Sequence, residues 1–272
     1  MVKLDLELKE IELAAKRLKP TIHRTALERS KTFSELCGAD IYLKYENQQK
    51  TGSFKIRGAS NKIAALAERG EVKSVVASSA GNHAQGVAYA AHVHGIPATI
   101  VMPKAAPIAK VQATESYGAK VVLCGDCYDD AYAKALEIQQ NEGATFLHPF
   151  DDPEVIAGQG TLGFEILQDL PTVDVVIVPA GGGGLLAGVA ACIKKINPRV
   201  KVIGVVENQA PTKALSADLP IRDGIVEPQG EVAHIALVER HRAMGGVTNA
   251  FVSGFGYGPG MALASTVAHD SH

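Results

Sequence analysis

The sequence predicts an α/β protein whose sheets are parallel and covered on both faces. Short β-branched runs alternate with longer alanine-rich stretches along most of the 272 residues. The β-branched runs are continuously apolar, as is typical of strands buried on both faces, and the stretches between them carry apolar residues at helical spacing. Repeats of strand, helix and strand favour right-handed crossovers that place successive strands side by side.

Seven strands are expected, at residues 40–46, 74–78, 98–102, 120–125, 144–149, 174–180 and 201–207. The intervening helical stretches, such as AQGVAYAAHVHG and GLLAGVAACIKKINP, end at Gly or at Asn-Pro, which are common helix stops. From about residue 223 the alternation fades, and the sequence indicates no long element there.

Composition argues against several classes of partner. The formal charge is −2 with both signs interspersed, so no footprint for nucleic acid or for an anionic membrane is visible. The first 20 residues are charged and amphipathic, and no run approaches the roughly 18 apolar residues of a membrane span. We therefore expect a soluble, cytoplasmic protein that binds neither nucleic acid nor membrane.

The four cysteines include one C-x-x-C pair, Cys124 and Cys127. A zinc site would need a second pair or suitably spaced histidines, which do not follow. We interpret both residues as small residues at the end of a strand, with a redox pair as the alternative.

A run of four glycines, Gly181, Gly182, Gly183 and Gly184, follows the strand expected at 174–180. Without Cβ atoms, several backbone N–H groups can converge on one anion, with a helix dipole behind them. A phosphate is the natural ligand. A dinucleotide is an alternative, since Glu207 lies roughly 20 residues on, where a ribose would need an acidic residue; a plain flexible turn is another.

The segment SSAGNHAQG follows the strand expected at 74–78 and opens a helix. Hydroxyls and orphan backbone N–H groups in such a turn can hold a carboxylate, and Asn82 can bond to an oxygen on a ring. Helix capping by Ser and Asn is an alternative interpretation. His83 considered alone is more often structural than catalytic.

The segment KTGSFKIRGA, residues 50–59, places Lys55 between Phe54 and Ile56. Partial burial removes solvation from an ammonium group and favours the neutral amine, which attacks carbonyls. The aldehyde that proteins hold through a lysine Schiff base is pyridoxal phosphate. A solvated lysine at a helix start would explain Lys55 alone, but it leaves the other two turns unexplained.

Together, KTGSFKIRGA, SSAGNHAQG and PAGGGGLLAG resemble the threonine/serine dehydratases of the fold type II family of pyridoxal-phosphate enzymes, and HPFDDPEVIAGQGTLGFEIL is similar too. The resemblance runs over roughly residues 5 to 208. It implies two parallel-sheet, three-layer domains of the tryptophan synthase β-like architecture. A small domain at 51–149 would carry Lys55 and the Asn82 loop. A large domain, 1–50 plus 150–272, would carry the glycine turn.

The resemblance also implies a role for each matching residue. Lys55 would form the Schiff base with pyridoxal 5′-phosphate and act as the base at the substrate Cα, with Phe54 against the cofactor. Asn82 would bond the 3′-oxygen of the ring, and the glycines at 181–184 would hold the phosphate. The residues Ser79, Ala80, Gly81 and His83 match the loop that binds the substrate carboxylate in the family, so they would form this site.

The implied reaction is α,β-elimination from L-threonine to 2-oxobutanoate and ammonia, with L-serine giving pyruvate. Serine racemases are similar but carry a serine, their second acid/base, where this chain has Ala80, so elimination is favoured over racemisation. The family further implies a homo-oligomer, a dimer or a tetramer. We assign no metal ligands.

The sequence departs from the family pattern after about residue 210. The S-G-G-N turn that bonds the pyridine nitrogen in the family has no match, and Ser253 is not assigned that role. A truncated or frame-shifted chain with little activity is therefore one alternative. A serine racemase-like enzyme and a nicotinamide oxidoreductase are the others.

Overall fold

The computed structural model describes residues 6–205 and the backbone of residues 234–239. Eight α-helices lie in these ranges: α1 Leu8–Leu18, α2 Lys31–Cys37, α3 Lys55–Arg69, α4 Asn82–Val93, α5 Ile108–Ser116, α6 Tyr128–Glu142, α7 Pro153–Asp169 and α8 Gly184–Ile196. The strands there are β1 Leu27–Arg29, β2 Asp40–Tyr45, β3 Val75–Ser78, β4 Ala98–Met102, β5 Lys120–Leu123, β6 Thr145–Phe146, β7 Val175–Pro179, β8 Lys201–Val205 and β9 His234–Glu239. The predicted α/β class is confirmed, and each of the seven expected strands is present, most of them with shorter ends.

The smaller sheet has the strand order β5-β4-β3-β6, and all of its pairs are parallel. Alternate residues of β3 face opposite layers. Val75 and Ala77 pack in a cluster with α3 and α4, whereas Val76 packs with α6. This alternation produces three layers, as expected for a sheet that is buried on both faces.

The larger sheet has the order β1-β2-β9-β7-β8 and is mixed. Among its described strands, only β7 and β8 pair in parallel. Strand β1 is antiparallel to β2, and β9 is antiparallel to both β2 and β7. The expectation of parallel strands therefore holds for the smaller sheet and for one pair of the larger sheet. Val176 and Val178 face α7 and α8, and Val175 and Ile177 face the side of α2.

Two strands were not predicted. Strand β1 is only three residues long, and β9 lies in the stretch where we expected no long element. A six-residue strand outside the strand–helix alternation is too short to be predicted from its hydrophobic periodicity. Its backbone pairs on both edges, which places β9 between β2 and β7.

All four strands of the smaller sheet fall within 51–149, and the larger sheet takes its strands from both flanking regions. The domain boundaries as such stay a prediction. None of the helices in the described ranges combines the length and the apolar character that a membrane-spanning helix needs.

Candidate active site

The loop that follows β6, Leu147–Asp152, is the meeting point of the three predicted segments. The carbonyl of Leu147 accepts a hydrogen bond from the ring of His83, 3.1 Å long. The carbonyl of Pro149 accepts one from the Nζ of Lys55, also 3.1 Å long. Phe150 packs against the glycine turn. One short loop therefore contacts the lysine segment, the asparagine segment and the glycine turn.

Lys55 is the first residue of α3 and is half-buried. Its Nζ lies 5.5 Å from the centroid of the Phe54 ring, within the range of a cation–π contact. Phe54 itself packs on the apolar cluster between α7, α8 and the larger sheet. The amine is thus held between an aromatic face and a backbone carbonyl, at the border of the two sheets' cores.

The glycine turn joins β7 to α8, and each of its glycines has a different environment. Gly183 has a φ of +87°, a backbone conformation that favours glycine. A Cβ on Gly182 would lie 2.3 Å from the Phe150 ring, and one on Gly184 would lie 2.6 Å from the Phe150 carbonyl oxygen. Gly181 is exposed, with no atom within 4 Å of such a Cβ.

The asparagine segment opens α4. Asn82 is the first residue of this helix and is half-buried, and its side-chain amide makes no hydrogen bond within the described part of the chain. The backbone N–H of Gly81 donates to the Ser79 hydroxyl oxygen at 3.2 Å, which closes a tight turn before the helix. Ala80 lies in this turn and packs on the core of the smaller sheet.

His83 is buried, and its hydrogen bond to a carbonyl requires that Nε2 carries the proton. Burial, together with the nearby charge of Lys55, lowers its pKa to about 3. The ring is therefore neutral at pH 7 and ties α4 to the Leu147–Asp152 loop. The hydrogen bond to Leu147 gives His83 a role in holding the fold together. A contact between His83 and the substrate carboxylate stays a prediction.

Close helix crossings hold these segments together. A Cβ on Gly86 of α4 would lie 3.2 Å from the backbone of Lys55, and one on Gly158 of α7 would lie 2.7 Å from the Cα of Gly58 in α3. At the next crossing, a Cβ on Gly188 of α8 would lie 2.7 Å from the backbone N of Gly160 in α7. Helices α4, α3, α7 and α8 thus contact one another in series. Three of them begin at the predicted functional segments, so these crossings fix the relative positions of the segments.

A buried charge network anchors α3 just after Lys55. The guanidinium of Arg57 is fully buried and donates to both carboxylate oxygens of Glu46, at 2.8 Å each, and to Glu165 at 2.7 Å. Lys44 is also fully buried and pairs with Glu165 at 2.7 Å. Burial raises the pKa of the Glu165 carboxyl, but Arg57 and Lys44 outweigh that effect, so its pKa lies below its usual range. The network ties β2, α3 and α7 to one another.

The residues at this site fit pyridoxal phosphate. Within the described residues, the backbone N–H groups at 181–186, which include the glycine turn and the first turn of α8, make no hydrogen bond. The buried Ser78 hydroxyl, at the end of β3, also has no partner there. Lys55 would hold the aldehyde carbon, the glycine turn would hold the phosphate, and Asn82 would contact the ring.

Sequence reasoning missed the Leu147–Asp152 loop as part of the site. Its sequence, LHPFDD, contains no glycine run and no lysine, and the role of these residues depends on contacts with residues far away in sequence.

The cysteine pair lies outside this site. Cys124 follows β5 and Cys127 precedes α6, both as free thiols. In the described part of the chain, no group of three or more His, Cys, Asp or Glu residues could hold a metal ion.

The fold and this site are those expected of the pyridoxal-phosphate class of enzymes. A sequence model of the family described as "Pyridoxal-phosphate dependent enzyme" matches residues 18–253, beyond the region where the motifs end. The chain therefore belongs to this family. The predicted fold type II architecture, α/β with two sheets, and the predicted cofactor are confirmed with it.

Curated relatives agree with the family assignment. L-threonine ammonia-lyase of Thermotoga maritima is 58% identical over 211 residues, which are 78% of this chain and 53% of that protein. L-threonine dehydratase catabolic TdcB of Escherichia coli K12 is 54% identical over 202 residues, 74% of this chain and 61% of that protein. This chain thus spans between half and two thirds of the length of these relatives.

Solved structures agree as well. The processed form of threonine deaminase isoform 2 from Solanum lycopersicum superposes with a TM-score of 0.71 at 41% identity, covering 75% of this chain and 56% of that one. Maize serine racemase superposes with a TM-score of 0.72 at 39% identity, covering 74% of this chain and 61% of that one. Both a deaminase and a racemase are therefore similar to this chain in fold.

Proposed function

We propose that the chain is a threonine ammonia-lyase that converts L-threonine to 2-oxobutanoate and ammonia, and L-serine to pyruvate. One observation carries the proposal: the Lys55 amine contacts Pro149, and the glycine turn packs on Phe150, the next residue. A single small molecule can therefore contact the amine at one end and the anion-binding turn at the other. Curated relatives that are more than half identical over about three quarters of the chain are named L-threonine ammonia-lyase and L-threonine dehydratase, which supports this substrate.

When bound, pyridoxal phosphate supplies an aldehyde for the lysine amine and a ring that withdraws electrons from the substrate Cα. The Lys55 Nζ would remove the Cα proton of the bound substrate as a general base. The carbonyl of Pro149 orients this Nζ through the 3.1 Å hydrogen bond. The β-hydroxyl then leaves as water, and the unsaturated amine that is released hydrolyses to the 2-oxo acid and ammonia.

The other site residues bind and orient. Backbone N–H groups of the glycine turn, at the start of α8, hold the phosphate, where the helix dipole favours negative charge. The first turn of α4, which follows the turn of Ser79 and Gly81, offers backbone N–H groups without an intrahelical partner to the substrate carboxylate. Phe54 covers one side of the amine and excludes water. Asn82, whose amide is otherwise unengaged within the described residues, orients the ring.

Ala80 favours elimination over racemisation in this proposal. Racemisation needs a second acid/base on the face of the substrate opposite Lys55. A methyl group at position 80 neither donates nor accepts a proton there, so a proton removed from Cα is not returned on the other face. The assembly as a dimer or tetramer stays part of the proposal, carried by the family resemblance alone.

The test is 2-oxo acid production from L-threonine and L-serine with added pyridoxal phosphate, together with chiral analysis of the remaining amino acid. We expect 2-oxobutanoate from wild-type protein, none from Lys55→Ala, and unchanged turnover from Lys73→Ala, which removes an exposed lysine. Cofactor binding without turnover would support the inactive, truncated alternative. Accumulation of D-amino acid as the main product would support the racemase alternative.

A further inference from the structure

His148 lies at the start of a tight turn inside the Leu147–Asp152 loop. Its Nδ1 accepts a hydrogen bond from the backbone N–H of Asp151 at 2.8 Å and a longer one from Phe150 at 3.4 Å. An imidazole nitrogen accepts only when it carries no proton. The turn therefore requires the neutral tautomer of His148, with its proton on Nε2.

The residues held by this turn are the ones that contact the site. Pro149 accepts the hydrogen bond from Lys55, and Phe150 packs against Gly182 and Gly184. The Phe150 ring also lies edge-to-face on the His148 ring, with centroids 4.7 Å apart. A change in the charge of His148 would thus act on the amine and on the glycine turn at once.

Several ionisable groups face His148. Burial lowers its pKa, the carboxylates of Asp151 and Asp152 raise it, and the Lys55 ammonium lowers it, with a net pKa below the ordinary value. From α4, the buried and neutral His83 is the other titratable neighbour. The His148 ring is therefore neutral at pH 7, as the turn demands, and gains its proton only in acid.

We propose that His148 is a positioning residue: its neutral imidazole holds the 148–151 turn in the conformation that supports both Lys55 and the glycine turn, and protonation releases that turn. The proposal rests on the proposed function insofar as it takes the glycine turn as the phosphate site. A protonated Nδ1 would face two N–H donors, which repel it, so the backbone of Pro149 and Phe150 would move away from the amine and the glycines.

Two substitutions separate this role from simple packing. In His148→Asn, the side-chain oxygen can take the place of Nδ1 as an acceptor and does not titrate. In His148→Gln, the amide reaches further, toward the place of Nε2, and leaves the N–H of Asp151 without its acceptor. Both variants remove the ring, so loss of aromatic packing alone would affect them similarly.

The first measurement is the dissociation constant of pyridoxal phosphate for the full chain as a function of pH. We expect wild-type affinity to weaken by up to about tenfold per pH unit below the His148 pKa, beyond any change shown by His148→Asn. His148→Gln should bind several-fold more weakly than His148→Asn at pH 7. Identical pH curves for wild type and His148→Asn would overturn the proposal.

The second measurement needs no cofactor. Nitrogen-15 NMR of labelled histidines, with His148 assigned from the spectrum of His148→Asn, reports which ring nitrogen carries the proton. We expect an unprotonated Nδ1 at pH 7. A protonated Nδ1 would overturn the proposal, whatever the affinities of the two variants for pyridoxal phosphate. If the NMR result holds while no form of the chain binds pyridoxal phosphate, the proposed function fails and the tautomer assignment stands.

Discussion

The Nζ of Lys55 donates a 3.1 Å hydrogen bond to the carbonyl of Pro149, which lies 94 residues further along the chain. Phe150, the next residue, packs against Gly182 and Gly184. The amine and the glycine turn, far apart in sequence, are therefore neighbours across one loop. This adjacency underlies the proposed function. It also implies that the same substitution has different effects at different positions of the glycine turn.

The glycine turn should tolerate a methyl group at one end and not at the other. Gly184→Ala would place Cβ 2.6 Å from the backbone carbonyl oxygen of Phe150, which cannot rotate away. Overpacking of this kind costs about 1–3 kcal/mol of folding free energy. We expect a lower unfolding temperature in thermal denaturation and weaker binding of pyridoxal phosphate.

Gly181→Ala is the matched control for stability, because its Cβ would meet no atom within 4 Å. Its unfolding temperature should stay close to that of the wild type. Equal destabilisation by the two substitutions would mean that the contact between Gly184 and Phe150 does not constrain the turn.

Arg57 should be far more important for stability than a surface arginine with similar partners. Arg57→Met leaves Glu46, which is 2% exposed, and Glu165 without their principal cation. Removing one partner of a buried ion pair costs about 3–5 kcal/mol. Urea unfolding of this variant and of the wild type would measure the loss.

Arg69→Met is the matched control for the buried arginine. It breaks ion pairs with Glu71 and Glu154 at a position that is 39% exposed, where such pairs contribute roughly 0–1 kcal/mol. Comparable losses of unfolding free energy in the two variants would contradict the assignment of the Arg57 network as a buried anchor of α3.

Stability should fall with pH partly through His83. Its pKa is about 3 in the folded chain and near 6.5 when exposed, so the unfolded state binds the proton first. The stability it contributes is complete above about pH 6.5 and is lost as the pH falls toward 3, by at most about 1.4 kcal/mol per pH unit.

His83→Gln isolates this contribution, since the Gln amide can still donate to the Leu147 carbonyl but does not titrate. Between pH 6 and 4, roughly the range between the two pKa values, the unfolding free energy of this variant should depend less steeply on pH than that of the wild type. His92→Gln, at an exposed position of the same helix, is the control. Parallel curves for His83→Gln and wild type would show that His83 is not buried in its neutral form.

Local patterns in the sequence predicted where the helices at the candidate site begin, because glycine runs and a lysine at a helix start are local features. Lys55 begins α3, Asn82 begins α4, and Gly184 begins α8, each directly after a strand or turn as expected. The role of His148 could not be predicted in this way. The backbone N–H groups of residues 150 and 151 donate to its ring, and this turn affects the site only because Pro149 and Phe150 contact residues far away in sequence.

The buried network and β9 escaped prediction for the same reason. Glu46 and Arg57 are close in sequence, but Glu165 lies 108 residues beyond Arg57, and no local pattern links them. Strand β9 is defined by pairing with β2 and β7, and not by a periodic stretch of its own. Pairing over such sequence distances is set by tertiary structure, which local periodicity does not record.

The most direct test of the central claim is to reduce the protein with borohydride in the presence of pyridoxal phosphate and to map the modified peptide by mass spectrometry. We expect the reduced cofactor on Lys55 and on no other lysine, with no stable adduct in Lys55→Ala and a normal adduct in Lys73→Ala. An adduct on another lysine, or none in folded wild-type protein, would contradict the account.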